Sequence, residues 1–169
     1  MEQHRQANSS KNQKIVLLGG PIQRAINQNG RFDHRLKTII IALSDVLEKS
    51  GYKVLSAHID EGFGENIPNS SAKITKRDYC WMQLCDVYIA LFVPNEQGEQ
   101  IRSDGTHIEI GWASAMAKPI VLIGEDMPNE QNSHLIRGLN AIANVRFIEL
   151  EKIISDPVII NTILFDLFQ

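Results

Sequence analysis

The segment SDGTHIEIGWASAMAKPIVLI, residues 103–123, holds a turn, a helix and a strand in succession. Gly105-Thr106 breaks the chain and opens the helix. Thr106 and Glu109 stand in the S/T-x-x-E relation of a capping box, which makes Thr106 the expected cap. Ile110, Ala113 and Ala117 give the helix a small-residue face suited to close packing on a sheet. Lys118-Pro119 stops it, and Ile120–Ile123 reads as a buried strand. Glu109 is then a first-turn carboxylate whose ionised form the helix-end N–H groups favour. Spacing leaves two readings of Glu109: a cap for its own helix, or an ionised carboxylate at the mouth of a sheet, able to act as a nucleophile.

Outward from this segment, strands and helices alternate. Lys14–Leu18 is a short apolar run ending in Gly19-Gly20-Pro21, a strand and its turn. Phe32–Lys49 carries a helical stripe stopped at Gly51. Tyr52–Ile59 is the second expected strand, Asp60–Ser71 a loop, and Lys73–Leu84 a helix. Asp86–Val93 is the third strand, and a polar loop, Pro94–Asp104, leads into the central helix. After the fourth strand come a loop (Gly124–Asn132), a short helix (Ser133–Ala141), a fifth strand (Val145–Leu150) and a last helix (Pro157–Phe168). This alternation predicts an α/β fold. It is a single domain over residues 14–169, with a doubly wound, five-stranded parallel sheet of flavodoxin/Rossmann-like kind and strand order 2-1-3-4-5. Residues 1–13 read as a flexible polar tail. The strands' carboxyl ends, at Gly19–Arg24, Asp60–Gly64, Pro94–Gly105 and Gly124–Asp126, form the expected binding rim.

Composition narrows the function. The chain has 169 residues, 43% of them hydrophobic and 22% charged, with a formal charge of −3. No basic footprint for a nucleic-acid polymer and no polybasic membrane patch stands out. No signal peptide and no membrane-spanning run are expected. Cys80 and Cys85 lie five apart on a predicted helix, off a common face. A reducing cytoplasm suits them better than a disulfide. The five histidines have no metal-ligand spacing, so no metal is expected. Gly19-Gly20-Pro21-Ile22 is not a dinucleotide fingerprint, and there is no phosphate-binding P-loop. No cofactor is expected.

Four pieces, in this order, resemble the nucleoside 2-deoxyribosyltransferase superfamily: LLGGPI (17–22), KRDYCWMQLCDVYIALF (76–92), SDGTHIEIGWASAMAKPI (103–120) and HLIRG (134–138). That superfamily includes transferases that exchange bases on deoxyribose. It also includes hydrolases that cut the N-glycosidic bond of nucleoside 5′-monophosphates. The resemblance implies that Glu109 is the nucleophile at the anomeric carbon and Asp78 the carboxylate that manages the base's proton. Asp86 matches a structural position. Ser103 falls where the hydrolases carry serine and the transferases an acid. Ser133 falls where the hydrolases use a serine from a neighbouring subunit to hold phosphate, which implies a homodimer.

The expected substrate contacts are therefore Gly19, Gly20, Pro21, Ile22, Arg24, Ser103, Gly105, Thr106 and Ser133. Two serines facing phosphate favour the hydrolase branch acting on a (deoxy)nucleoside 5′-monophosphate. Base exchange and a non-catalytic nucleotide sensor are the alternatives. Breaking a base–sugar bond builds positive charge on the sugar and negative charge on the base, which suits one carboxylate on each. Trp81 and Trp112 are read as packing against the sheet. Leu17 stands where the family usually has a tyrosine beside the nucleophile. The hydrogen bond that orients Glu109 is then missing or comes from elsewhere.

Overall fold

The computed structural model describes residues 13–128, 130 and 132–169. The tail read over residues 1–13 lies outside these, apart from Gln13, whose side-chain amide donates to Gly51 O at 3.1 Å. Five strands form one parallel sheet: β1 (Ile15–Gly19), β2 (Lys53–Leu55), β3 (Val87–Phe92), β4 (Ile120–Gly124) and β5 (Val145–Glu149). Their order is β2-β1-β3-β4-β5, as the alternation predicts.

The three inner strands β1, β3 and β4 are buried apolar runs, so each presents a core face on both sides, whereas the edge strands β2 and β5 are partly exposed. On one side Val16, Leu18, Ile89, Leu91, Val121 and Ile123 meet α1 (His34–Lys49), α6 (Leu150–Ser155) and α7 (Ile159–Leu167). On the other side Leu17, Tyr88, Ala90, Phe92, Ile120 and Leu122 meet α3 (Ser71–Leu84), α4 (Asp104–Ala115) and α5 (His134–Arg137). Helices thus cover both faces, which makes the sheet doubly wound. Asp86 locks β1 to β3 where the sheet changes direction: its carboxylate accepts from Ile15 N and Lys14 Nζ, each at 2.8 Å.

Three local expectations change. The second strand ends at Leu55, because Ser56 turns the chain into a short helix, α2 (Ala57–Asp60). The last helix stands as α7, but a short helix that the sequence reading did not include, α6, precedes it, directly after β5. The central helix begins three residues early, at Asp104. Its N-cap is Ser103, whose hydroxyl accepts from Thr106 N at 3.3 Å. Thr106 is therefore inside the first turn, where its own hydroxyl meets that of Ser103. Among the described residues no helix is long and apolar enough to cross a membrane.

Candidate active site

The sheet order reverses between β1 and β3, and a crevice opens beyond the carboxyl ends of these strands. It holds a cavity of about 290 Å³. Leu17 to Gly20 form its floor. Ala57, His58, Glu61, Ile67, Ile74, Asp78 and Trp81 stand on the side of α2 and α3. Ile22, Arg24, Arg102, Ser103, Asp104, Gly105 and Thr106 stand on the side of the α4 N-terminus, and Glu109 also lines it.

Glu109 is not a first-turn residue. The earlier start of α4 puts it in the second turn, half-buried and beyond reach of the free helix-end N–H groups. A helix end contributes about 0.3–1 kcal/mol to a charge and fades within a turn. Desolvating a carboxylate costs several kcal/mol. Burial therefore dominates and pushes the Glu109 carboxyl up to about 7. A hydrogen bond from Tyr88 acts against this, the charge of Asp78 adds to it, and Arg77 opposes it. The reading that the helix holds Glu109 ionised is corrected accordingly.

The Tyr88 hydroxyl donates to Glu109 Oε2 at 2.5 Å. Tyr88 is fully buried in β3, directly across from Leu17 in the parallel register. Burial first, then the Glu109 charge and hydrogen bond, raise its phenol well above the usual value, so it stays a donor. The hydroxyl that Leu17 cannot supply thus comes from the neighbouring strand. Gly19 makes room for the pair: a Cβ there would sit 2.5 Å from the Tyr88 hydroxyl oxygen and 2.9 Å from Glu109 Oε2.

Asp78 lies mid-helix in α3, with its side chain 14% exposed. Its Oδ1 accepts from Arg77 Nε at 2.8 Å. Arg77 also donates from Nη1 to Asp60 at 3.0 Å and from Nη2 to Glu61 at 2.7 Å, and it lies 4.8 Å over the Trp81 ring. Burial lowers the Arg77 pKa, but the bonds to Asp78 and Glu61 more than offset this and hold it charged. Trp81 is thus a cavity wall and the platform for Arg77, while Trp112 packs edge-on to Tyr79.

His58 is buried, and burial pushes it down to about 4 despite the raising effect of backbone bonds to Pro21 and Gly20. Pro21 O can only accept, so the neutral ring donates from Nε2 to it at 3.1 Å. This bond ties the glycine turn to α2.

The sequence-expected residues divide in two. Glu109, Asp78, Gly19, Gly20, Ile22, Arg24, Ser103, Gly105 and Thr106 line one cavity. Pro21 and Ser133 do not. Pro21 is buried and reaches the site through His58, whereas Ser133 is exposed and caps α5 by accepting from Ile136 N at 3.3 Å. Ser103 faces the cavity with its hydroxyl already engaged by Thr106. Sequence reasoning missed Tyr88, His58, Glu61, Arg77 and Arg102. Only Tyr88 left a local signal, as a polar-tipped side chain on the same strand face as Ala90 and Phe92.

The family model for nucleoside 2-deoxyribosyltransferase matches residues 29–141, and the chain belongs to that family. Among solved structures it is similar to the CMP N-glycosidase BcmB of Clostridium botulinum. The two share 33% identity over 80% of this chain and 88% of that one, with a TM-score of 0.53. The solution structure of BlsM shares 32% identity over 80% of each chain, with a TM-score of 0.63. No curated protein matches. Family and neighbours place the protein among enzymes that process the glycosyl bond of nucleosides or nucleotides.

Two outcomes follow from the buried carboxyl. Tyr88→Phe removes a bond that favours ionised Glu109, so the carboxyl midpoint rises above about 7, read by carbon-13 NMR of the glutamate carboxyls. A midpoint moving toward 4.5 would contradict this.

An unfolded glutamate titrates near 4.5 and folded Glu109 near 7, so the folded state holds the extra proton between these values. Its stability contribution is full below about pH 4.5 and is lost as pH rises through 7. Glu109→Gln therefore raises Tm at pH 8 more than at pH 4.5, and a pH-independent change would contradict the burial account.

Proposed function

We propose that the protein hydrolyses the N-glycosidic bond of a nucleoside or deoxynucleoside 5′-monophosphate, releasing free base and sugar 5-phosphate. The observation that carries this reading is the polarity of the cavity. Carboxylates of Asp78 and Glu61 stand at one end. Arg24, Arg102 with its ion-pair partner Asp104, and the first-turn N–H groups of α4 stand on the side of the α4 N-terminus, and Glu109 also lines the cavity. A nucleotide has the same polarity, with its phosphate at one end, its base at the other and the anomeric carbon between.

In this reading Glu109 Oε1, the oxygen that Tyr88 leaves free, attacks C1′ of the sugar. The C1′–N bond breaks, and Asp78 supplies the proton that the leaving base takes up. The sugar phosphate is then an ester of Glu109. Asp78 takes a proton from water, the hydroxide attacks C1′, and Glu109 returns as carboxylate with retention at the anomeric centre. Arg24 reaches the cavity and forms no ion pair or hydrogen bond among the described residues, its charge acting on nearby Asp104 without a bond, so it is the cation assigned to the phosphate. Arg102 is already held by Asp104 at 2.9 Å.

Base exchange is the second reading, and it would use the same glycosyl-enzyme with a base in place of water. Asp104, an acid at the cavity wall beside Ser103, is the feature that favours it. The hydrolase reading also includes a homodimer. Ser133 lies outside its own chain's cavity, and Leu135 and Ile142, which follow it in the chain, are 84% and 78% exposed. A second copy covering that face would bring its Ser133 to the phosphate.

Incubation with nucleotides and nucleosides, CMP first because BcmB is a CMP N-glycosidase, should release free base from the 5′-monophosphates. Glu109→Ala should abolish release. Release from nucleosides alone would contradict the phosphate assignment, a new nucleoside on adding a second base would favour exchange, and full activity in Glu109→Ala would leave only a sensor. Light scattering should give the mass of two chains; a monomer would remove Ser133 from the site.

A further inference from the structure

The α2 and α3 end of the cavity holds an acid that the proposed reaction does not use. Glu61, at the end of α2, is 2% exposed, yet its residue lines the cavity. Its Oε1 accepts from Arg77 Nη2 at 2.7 Å. Its other oxygen, Oε2, has no hydrogen-bond partner among the described residues. It is also not among the side-chain atoms sealed away without one, so it is left accessible on a residue that lines the cavity. Asp78 repeats the arrangement, with Oδ1 on Arg77 and Oδ2 unpaired. Arg77 spends Nε, Nη1 and Nη2 on Asp78, Asp60 and Glu61. His58 spends its one N–H on Pro21 O. This end therefore presents a bare acceptor oxygen of Glu61 and, at Asp78 Oδ2, the carboxyl that carries the proton for the ring nitrogen of the base, while Ile67, Ile74 and Trp81 supply apolar wall.

We infer that Glu61 selects the leaving base: with Asp78 it favours a base carrying an exocyclic amine beside an unprotonated ring nitrogen, as in cytosine and adenine, over the keto counterpart, as in uracil and hypoxanthine. The inference rests on the nucleotide reading above, which puts the base at this end. An amine donates its N–H to the bare Glu61 oxygen. A carbonyl at the same place sets oxygen lone pairs against a buried carboxylate that cannot move, because Arg77 holds it. Buried polar groups left unpaired or opposed are what make such sites discriminate. Glu61 is a specificity residue in this account and takes no part in bond breaking.

The test compares matched pairs, CMP with UMP and AMP with IMP. Base release gives kcat/KM in the native protein, and calorimetric titration gives Kd in Glu109→Gln, where turnover is removed. The amine-bearing member should be favoured at least tenfold in both pairs. Glu61→Gln, whose amide offers both a donor and an acceptor, should bring the ratio below threefold. Should that variant not fold, Glu61→Asp, which draws the charge back by one methylene, should reduce the same ratio. Equal, reversed or undetectable binding within the pairs would overturn the inference, as would a ratio untouched by either variant. Absence of base release from every nucleotide would overturn the hydrolase reading instead, and the Kd ratio would still decide the base preference.

Discussion

The hydrogen bond from Tyr88 to Glu109 is the contact around which the site is built. It joins the middle of the sheet to the second turn of α4, and it fixes one oxygen of a carboxyl that burial would otherwise leave protonated. The packing of three elements follows from it. Residue 19 has room only for a hydrogen, since a Cβ would strike both partners. Leu17 can be apolar because the residue across the register supplies the hydroxyl. The small face of α4, with Ala113 fully buried, lets the helix sit close enough for a tyrosine to span the gap.

A second constraint is how cations are spent. Arg77 is committed to three carboxylates, Arg102 to Asp104 and Lys14 to Asp86. The cavity is left with an unpaired Glu61 oxygen on the side of α2 and α3, and with Arg24 and a helix N-terminus on the side of α4. The fold makes this possible because α3 and α4 approach the same face of the sheet from different connections, and the glycine turn after β1 leaves space between them.

The sheet was legible because three of its strands, β1, β3 and β4, are short apolar runs bounded by Gly, Pro or polar turns. Burial on both faces leaves little else for such runs to be. Tyr52–Ile59 was harder. Its residues suit a strand throughout, and only tertiary packing ends β2 at Leu55 and winds Ala57–Asp60 into a helix. Two capping patterns overlap at the start of α4: S-x-x-T from Ser103 and T-x-x-E from Thr106. The first one wins in the structure, and that three-residue shift carries Glu109 away from the helix end. The resemblance pointed to Asp78 and Glu109, and they do line one cavity. It could not point to Tyr88, which belongs to the site through its strand register with Leu17. Nor could it point to Glu61, which a linear reading leaves in a loop, 17 residues before Asp78.

The account turns on Glu109 becoming bonded to the sugar. A nucleoside 5′-monophosphate with fluorine at C2′ slows the second displacement, so the ester accumulates and mass spectrometry of the protein can read it. The account expects the mass of one fluorinated sugar phosphate on the peptide that contains Glu109, and no such adduct in Glu109→Gln. Release of base with the peptide unmodified, or an adduct on another residue, would contradict it.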